Sequence, residues 1–309
     1  MNYTKEMHTL KSSNDTNIVT YFIYKPKNIP KAILQISHGM CEYVERYEPF
    51  IDFMTGNDIL VCGNDHIGHK NSVASKEDLG YFASKDGWTF LPKDVAQLTK
   101  SIKKFYPDLP VFLFGHSMGS FIARAYIAQF GSLVDGVILC GTSGSNPVLG
   151  IGKFIISMVK KFKGERYRSK FLDHLMFGQY NRKYAKVRTE KDWLTKDEAI
   201  VDAYLKDEYC TFLFTTSGFY DLSMLLGYVS SKIWYDSVPK DLPLYLISGD
   251  MDPVGNWGKG IEEVQENLKK ENLKDFSCKL YPNYRHELLN EQNKEVVYED
   301  ILNWLTKHL

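Results

Sequence analysis

Short apolar segments alternate with amphipathic ones along most of the chain. The apolar segments end at glycine, proline or polar residues, a pattern typical of strands buried on both faces. Such segments occur at residues 32–37, 59–62, 111–114, 134–140 and 242–248, and a further strand is predicted at 276–281. Another segment, residues 17–24, alternates and is rich in β-branched and aromatic side chains, and the Lys25-Pro26 that follows it predicts an early strand at a sheet edge.

Between these segments, apolar residues recur at three- and four-residue steps, and this spacing predicts helices. Helices are expected at residues 45–55, 88–106, 121–130, 258–270 and 290–309. Strands that alternate with helices favour an α/β fold with a mostly parallel sheet and helices on both faces. A chain of 309 residues is long enough for one such fold with an insertion.

The alternation stops between about residues 141 and 238, where Lys, Arg, Tyr and Phe are frequent and no strand pattern is clear. Helical spacing within this part occurs at residues 151–162, 196–206 and 221–234. We therefore predict a helical cap, or lid, at residues 142–238. It divides the α/β core into a first part, 1–141, and a second part, 239–309.

Charge and cysteine content limit the classes of function. The 38 basic and 38 acidic residues give a formal net charge of zero, so there is no overall electrostatic case for nucleic-acid binding. The five cysteines lack metal-binding spacing, which favours reduced thiols and a cytoplasmic location. No stretch approaches the roughly 18 apolar residues of a membrane span, and the first residues do not resemble a signal peptide.

The predicted strand at 111–114 leads directly into Gly115-His116-Ser117-Met118-Gly119, and a predicted helix follows. This is the setting of a nucleophile elbow, in which the serine has a strained backbone and its hydroxyl projects outward. Glycine two residues before and two residues after the serine leaves the room that this turn requires. Ser117 is therefore the candidate nucleophile.

An acid and a histidine follow the serine in the chain order that α/β-hydrolases use. Asp252 lies in the loop after the strand at 242–248, and His286 lies in the loop after the strand at 276–281. Ligands of parallel sheets collect where the strands end. A neutral imidazole can take the serine proton, and a carboxylate on its other nitrogen fixes its tautomer. We predict Ser117, Asp252 and His286 as the catalytic residues.

Alternative residues exist for both roles. Asp250 is the rival acid, although a role in capping the turn beneath Asp252 is favoured for it. His116 precedes the serine and is expected to pack beside the elbow. Surface roles are expected for the remaining candidates, His8, His174 and His308.

The oxyanion hole is expected to use two backbone N–H groups. One belongs to Met118, directly after the nucleophile, and the other to Met40, in the loop after the His38-Gly39 strand end. Neither a metal nor an organic cofactor is required for this chemistry.

Five segments in chain order resemble the monoacylglycerol lipase and lysophospholipase family of α/β-hydrolases, also described as serine aminopeptidase-type hydrolases. They are His38-Gly39-Met40-Cys41-Glu42 with Arg46-Tyr47, Asp65-His66-Ile67-Gly68-His69, Gly115-His116-Ser117-Met118-Gly119, Gly249-Asp250-Met251-Asp252 and Tyr284-Arg285-His286-Glu287. The resemblance implies an α/β-hydrolase fold with a lid between the sixth and seventh strands. It also favours Asp252 over Asp250, because the family acid lies three residues after the glycine.

The chain departs from the family pattern at two positions. Tyr43 stands where the family usually has histidine, and Lys70 stands where it usually has glycine. Both positions border the expected site entrance, so they bear on substrate choice more than on the chemistry.

We predict a serine hydrolase that cleaves carboxylic esters of single-acyl lipids, such as a monoacylglycerol or lysophospholipid, through an acyl-enzyme. The apolar positions and lysines of 151–163 could touch a membrane surface transiently or pack on the sheet, and the aromatic stretch 210–214 could line an acyl tunnel or form helix core. The alternatives are an aminopeptidase or iminopeptidase acting on small N-terminal residues, and a non-catalytic binding protein of the same fold.

Overall fold

Eight strands form a single sheet in the computed structural model, which describes residues 1–309. The strands are Tyr3–Lys11 (β1), Ile18–Pro26 (β2), Ala32–Ser37 (β3), Ile59–Asn64 (β4), Val111–His116 (β5), Gly136–Cys140 (β6), Leu244–Gly249 (β7) and Phe276–Tyr281 (β8). Their spatial order is β1-β2-β4-β3-β5-β6-β7-β8. The pairs from β4 to β8 are parallel, whereas β1–β2 and β2–β4 are antiparallel.

Ten α-helices accompany the sheet. They are Glu48–Gly56 (α1), Phe90–Phe105 (α2), Met118–Phe130 (α3), Leu149–Lys163 (α4), Lys170–Phe177 (α5), Glu198–Lys206 (α6), Thr216–Val229 (α7), Lys232–Ser237 (α8), Lys259–Lys270 (α9) and Lys294–Lys307 (α10). None of them has the length and apolar character needed to cross a bilayer.

Each face of the sheet is covered by its own apolar core. Along β5, Leu113 belongs to one core cluster, and Phe112 and Phe114 belong to the other, because successive side chains of a strand point to opposite faces. Helix α3 contributes Ile122 and Tyr126 to the first cluster. The predicted α/β fold, with a mostly parallel sheet and helices on both faces, is confirmed.

The segment between β6 and β7 holds helices α4 to α8 and no strand. Within it, α4 packs on α7, and α7 in turn packs on α3 of the α/β core. This segment carries residues 142–238, for which the sequence predicted a cap.

Two sequence predictions about the elements were wrong, and the sequence missed strand β1 and helix α5. The strand at 17–24 is not at an edge, because β1 pairs along its outer side. Helix α5 was not predicted, because its eight residues are too few for a helical period to be recognised. The single helix expected at 221–234 is two helices, because Ser230 ends α7 and the Ser231 hydroxyl caps the N-terminus of α8.

Candidate active site

Ser117 occupies the turn between β5 and α3, with φ of 53° and ψ of −123°. A positive φ is costly for a residue with a Cβ, on the order of 1–3 kcal/mol, and such strain concentrates at functional sites. A Cβ on Gly115 would lie 2.5 Å from the Gly119 carbonyl oxygen, and one on Gly119 would lie 1.9 Å from the Ser37 carbonyl oxygen. Both glycines are therefore required for the backbone to pass this closely.

His286 and Asp252 form a buried hydrogen-bonded pair. His286 Nδ1 lies 2.9 Å from Asp252 Oδ2, and because a carboxylate only accepts, the Nδ1–H donates. The Asp252 carboxylate is fixed in turn by the Val254 N–H at 2.8 Å and by the Ser248 hydroxyl at 3.3 Å. This pair has the arrangement that a general base and its orienting acid require.

The rival acid, Asp250, is placed differently. Its Oδ1 accepts a hydrogen bond from the Asn283 N–H at 2.7 Å. Asn283 lies near the start of the loop after β8, three residues before His286. Asp250 thus secures a turn, and its carboxylate makes no hydrogen bond to His286.

Ser117 and His286 line the same cavity, which has a volume of about 480 Å³. The Ser117 hydroxyl has no hydrogen-bond partner in the protein, so the link between the serine and the imidazole is not formed in this structure. The structure thus forms the His286–Asp252 pair and brings Ser117 into the same cavity.

Met40 and Met118 also line this cavity. The Met118 N–H is the first of helix α3 and has no acceptor within the helix. The Met40 N–H takes part in none of the backbone hydrogen bonds. A Cβ on Gly39 would lie 3.0 Å from Ser117 Cβ, so the loop that carries Met40 passes directly beside the serine.

Buried histidines orient this loop. The Nδ1–H of His38 donates to the Gly39 carbonyl oxygen at 2.8 Å, and because the N–H and C=O of a trans peptide point in opposite directions, the Met40 N–H is turned away from the His38 ring. His69 Nε2 accepts from the Cys41 N–H at 3.4 Å. Burial lowers the pKa of His69 to about 3, so its ring is neutral and can accept.

A buried charge network that was not predicted from the sequence joins the loops of the site. Glu42 accepts hydrogen bonds from the Gly39 N–H, the Tyr47 hydroxyl at 2.8 Å and His116 Nδ1 at 2.9 Å. It also pairs with Arg46 at 3.1 Å. Burial opposes the ionisation of Glu42, but the charges of His116 and Arg46 hold its pKa well below its usual value.

His116 packs beside the elbow, with its ring centroid 4.8 Å from that of His286 and its Nε2 3.4 Å from the His286 carbonyl oxygen. Burial lowers the pKa of His116, but the Glu42 carboxylate outweighs burial and raises it. Of the other histidines, His8 and His174 are exposed, and His308 contacts Asp275 at 3.0 Å, far along the chain from the elbow.

The segment between β6 and β7 contributes much of the cavity wall. The Trp193 ring centroid lies 5.1 Å from that of His286, and the Leu194 carbonyl accepts from the Glu287 N–H at 2.7 Å. Its apolar lining residues include Met176, Phe177, Leu194, Phe212, Leu222 and Leu226. No group of three or more His, Cys, Asp or Glu side chains is arranged to hold a metal ion.

The parallel sheet, the serine at a strand–helix turn and the paired histidine and carboxylate define an α/β-hydrolase. A model of the family described as serine aminopeptidase, S33 (Hydrolase_4) matches residues 28–293. The chain belongs to this family.

Several of the similar proteins are named as lipases or esterases. Mouse monoglyceride lipase is 36% identical over 116 residues, which are 38% of this chain and 36% of the mouse protein, so that alignment spans about a third of the relative. The monoacylglycerol lipase of Mycolicibacterium smegmatis is 24% identical over 309 residues, 99% of each chain. The structure of a thermostable carboxyl esterase from Bacillus coagulans, in complex with glycerol, is similar with a TM-score of 0.92 and 29% identity over 98% of each chain.

Proposed function

We propose that this protein is a serine hydrolase that cleaves carboxylic esters of single-acyl lipids, such as a monoacylglycerol or lysophospholipid. The observation that carries the proposal is the hydrogen-bonded His286–Asp252 pair in the cavity that Ser117 also lines. The names of the relatives, monoglyceride lipase, monoacylglycerol lipase and carboxyl esterase, support ester hydrolysis as the activity.

In the proposed mechanism, His286 Nε2 takes the proton of Ser117 while the serine oxygen attacks the ester carbonyl carbon. Asp252 holds the imidazole in the tautomer with its proton on Nδ1 and stabilises the imidazolium that forms. The alcohol leaves with the transferred proton, and a water molecule deprotonated by the same histidine then releases the fatty acid.

The negative charge that develops on the carbonyl oxygen is stabilised by the N–H groups of Met40 and Met118. Donors fixed in advance cost no reorganisation during the reaction, and removing one such donor typically costs about 10²–10³ in kcat. The side chains of these residues matter little, since the backbone supplies the hydrogen bonds.

The substrate class is argued from the cavity. Eighteen of its 35 lining residues are hydrophobic, and a cavity of about 480 Å³ suits one acyl chain with a small polar head. The stretch 210–214, for which the sequence left an acyl tunnel and helix core open, contributes Cys210, Phe212 and Leu213 to this lining. Phe214 lies instead in the core, fully buried.

Helix α4 supports transient contact with a membrane surface as part of the same proposal. It packs through Ile155, Ile156 and Val159, whereas Phe154 and Phe162 are 66% and 72% exposed. Lysines 153, 160, 161 and 163 share the helix. We call the exposed side chains of Phe154 and Phe162 the apolar ridge of this helix. A helix with such a ridge and several lysines can bind at a lipid surface and gather amphiphilic esters there. Residues 142–238 then act as the lid.

The aminopeptidase alternative predicts release of small N-terminal residues from arylamides with poor ester cleavage. The names of the relatives do not favour it, although the family description contains the word aminopeptidase. A cytoplasmic location remains our prediction and is supported by five free cysteines, four of them buried.

A hydrolysis panel on the purified protein tests the proposal. Monoacylglycerols, lysophospholipids, short p-nitrophenyl esters and aminoacyl arylamides are compared at equal concentration. We expect the single-acyl esters to give the highest kcat/KM. Preferred cleavage of the arylamides would contradict the proposal and support the aminopeptidase alternative.

A further inference from the structure

The two positions at which the sequence departs from the family pattern contact each other. Lys70 Nζ lies 3.5 Å from the centroid of the Tyr43 ring, a cation–π distance. Lys70 also pairs with Glu45 at 2.7 Å. Its φ of 25° lies where glycine is less strained, so the contacts of its side chain offset a backbone cost that the usual glycine would not have.

Tyr43 also reaches the segment between β6 and β7. Its hydroxyl donates to Asp207 Oδ2 at 2.6 Å, across 164 positions of sequence. Asp207 begins the α6–α7 loop, residues 207–215, and organises it. Its Oδ1 accepts from the Tyr209 N–H at 2.8 Å, and its carbonyl oxygen accepts from the Cys210 N–H at 3.0 Å.

The α6–α7 loop forms a wall of the substrate cavity, which is lined by its residues Cys210, Thr211, Phe212 and Leu213. Other contacts also secure it, among them a hydrogen bond from the Thr215 hydroxyl to the Gly80 carbonyl oxygen at 2.9 Å. Cys41 Sγ lies 3.3 Å from the Phe212 carbonyl oxygen, and the Arg168 guanidinium donates to the Leu213 carbonyl. Tyr43 thus fixes the first residue of this loop, Asp207, and Lys76 pairs with the next one, Glu208.

We propose that Tyr43, Lys70 and Asp207 are positioning residues that hold the α6–α7 loop against the Met40 loop, and so set the acyl-chain selectivity of the cavity. Lys70 fixes the Tyr43 ring, and the Tyr43 hydroxyl fixes Asp207. This inference rests on the proposed ester hydrolysis for its substrate, although the structural contact is independent of it.

The variant Tyr43→Phe tests the inference because it keeps the ring that Lys70 contacts and removes only the hydroxyl. Tyr3→Phe is the matched control, since Tyr3 donates to Glu48 at 2.6 Å, a similar tyrosine–carboxylate bond away from the cavity. Two readouts are used: the alkylation rate of Cys210, followed by peptide mass spectrometry, and the kinetics for esters of increasing chain length.

We expect Cys210, 1% exposed, to be alkylated about tenfold faster in Tyr43→Phe, as loss of one hydrogen bond to a charged group allows. KM for long-chain monoacylglycerols is expected to rise about fivefold with kcat nearly constant, and short-chain esters are expected to change less. Tyr3→Phe is expected to change neither readout. Unchanged alkylation and unchanged KM in a Tyr43→Phe enzyme that hydrolyses esters would overturn the inference.

If the wild-type protein cleaved no ester, the proposed function would fail. The alkylation rate of Cys210 would still show whether Tyr43 holds the α6–α7 loop in place. If Tyr43→Phe does not fold, Lys70→Gly restores the usual family residue and removes the cation from the Tyr43 ring. We expect it to raise Cys210 alkylation and long-chain KM several-fold above the wild-type values. No change in either readout would overturn the inference in that variant as well.

Discussion

Arg46 and Glu287 are joined by two parallel hydrogen bonds of 3.0 and 3.1 Å. Arg46 follows the loop that carries Met40, and Glu287 directly follows His286. The pair therefore fixes the loop of the proposed base to the loop of the proposed oxyanion hole. Both side chains are largely buried, and the Glu42 carboxylate shares the same guanidinium.

Replacing Arg46 with methionine should destabilise the fold strongly. The variant leaves Glu287 without its cation and Glu42 with His116 alone, and breaking a buried pair in this way typically costs about 3–5 kcal/mol. Urea unfolding at neutral pH measures the change in the free energy of unfolding. Lys232→Met, which removes an exposed ion pair with Asp236, is the control and should have no measurable effect. Equal stability of the two variants would show that the network contributes nothing to the fold.

Asp252→Asn should lower kcat for ester hydrolysis by roughly a thousandfold or more, because an amide cannot hold His286 in the required tautomer or stabilise its charged form. The fold should be retained, since the two side chains have similar shapes. Asp250→Asn is the matched control and should keep nearly full activity, because an amide oxygen can still accept from the Asn283 N–H. The measurement is kcat of the wild type and of both variants in steady-state kinetics with a p-nitrophenyl ester. A larger loss in Asp250→Asn than in Asp252→Asn would assign the acid role to Asp250.

Acid should destabilise the protein through His69. Its pKa is lowered to about 3 in the fold, whereas the unfolded chain takes up the proton near its ordinary pKa of about 6.5. Stability from this residue is therefore complete above about pH 6.5 and is lost as the pH falls toward about 3. At about pH 5 the loss from His69 alone is ~2 kcal/mol.

Urea unfolding of the wild type and of His69→Gln at about pH 7 and about pH 5 measures this effect. Glutamine does not titrate, so the variant should be less sensitive to the change of pH by about 2 kcal/mol, whatever its stability at neutral pH. An identical pH dependence of the two proteins would mean that His69 is not held neutral by burial.

Phe154→Glu on helix α4 should reduce hydrolysis of monoacylglycerol dispersed in anionic vesicles several-fold, because a carboxylate opposes insertion of the ridge and is repelled by the lipid. Hydrolysis of a soluble p-nitrophenyl ester should be unchanged. Phe105→Glu is the control, since Phe105 is 72% exposed but ends α2, outside residues 142–238. Equal vesicle activity of the two variants would reject the membrane contact.

The sequence predicted the central strands and the order of the site residues because both leave local signals. Residues 32–37 are a short apolar segment, and residues 276–281 alternate between apolar and polar side chains. The structure places β3 and β8 at the same bounds. Strand β1 was not predicted because no residue in it is fully buried, so its pairing with β2 produces no apolar pattern.

The contacts that join the loops of the site could not be predicted in the same way. Arg46 and Glu287 are 241 positions apart, and Tyr43 and Asp207 are 164 apart. A charged or aromatic residue could pair with many others at such separations. The order of the strands in the sheet decides which loops lie side by side, and so which pairs form. The departures at Tyr43 and Lys70 were visible in the sequence, but their contact with each other was not.

The most direct test of the account is labelling with a fluorophosphonate, which reacts with an activated serine, followed by peptide mass spectrometry. We predict one label per molecule on Ser117, loss of ester hydrolysis in proportion to labelling, and no label and only background turnover in a folded Ser117→Ala variant. Full turnover by Ser117→Ala, or labelling of a different serine that abolishes activity, would contradict the account.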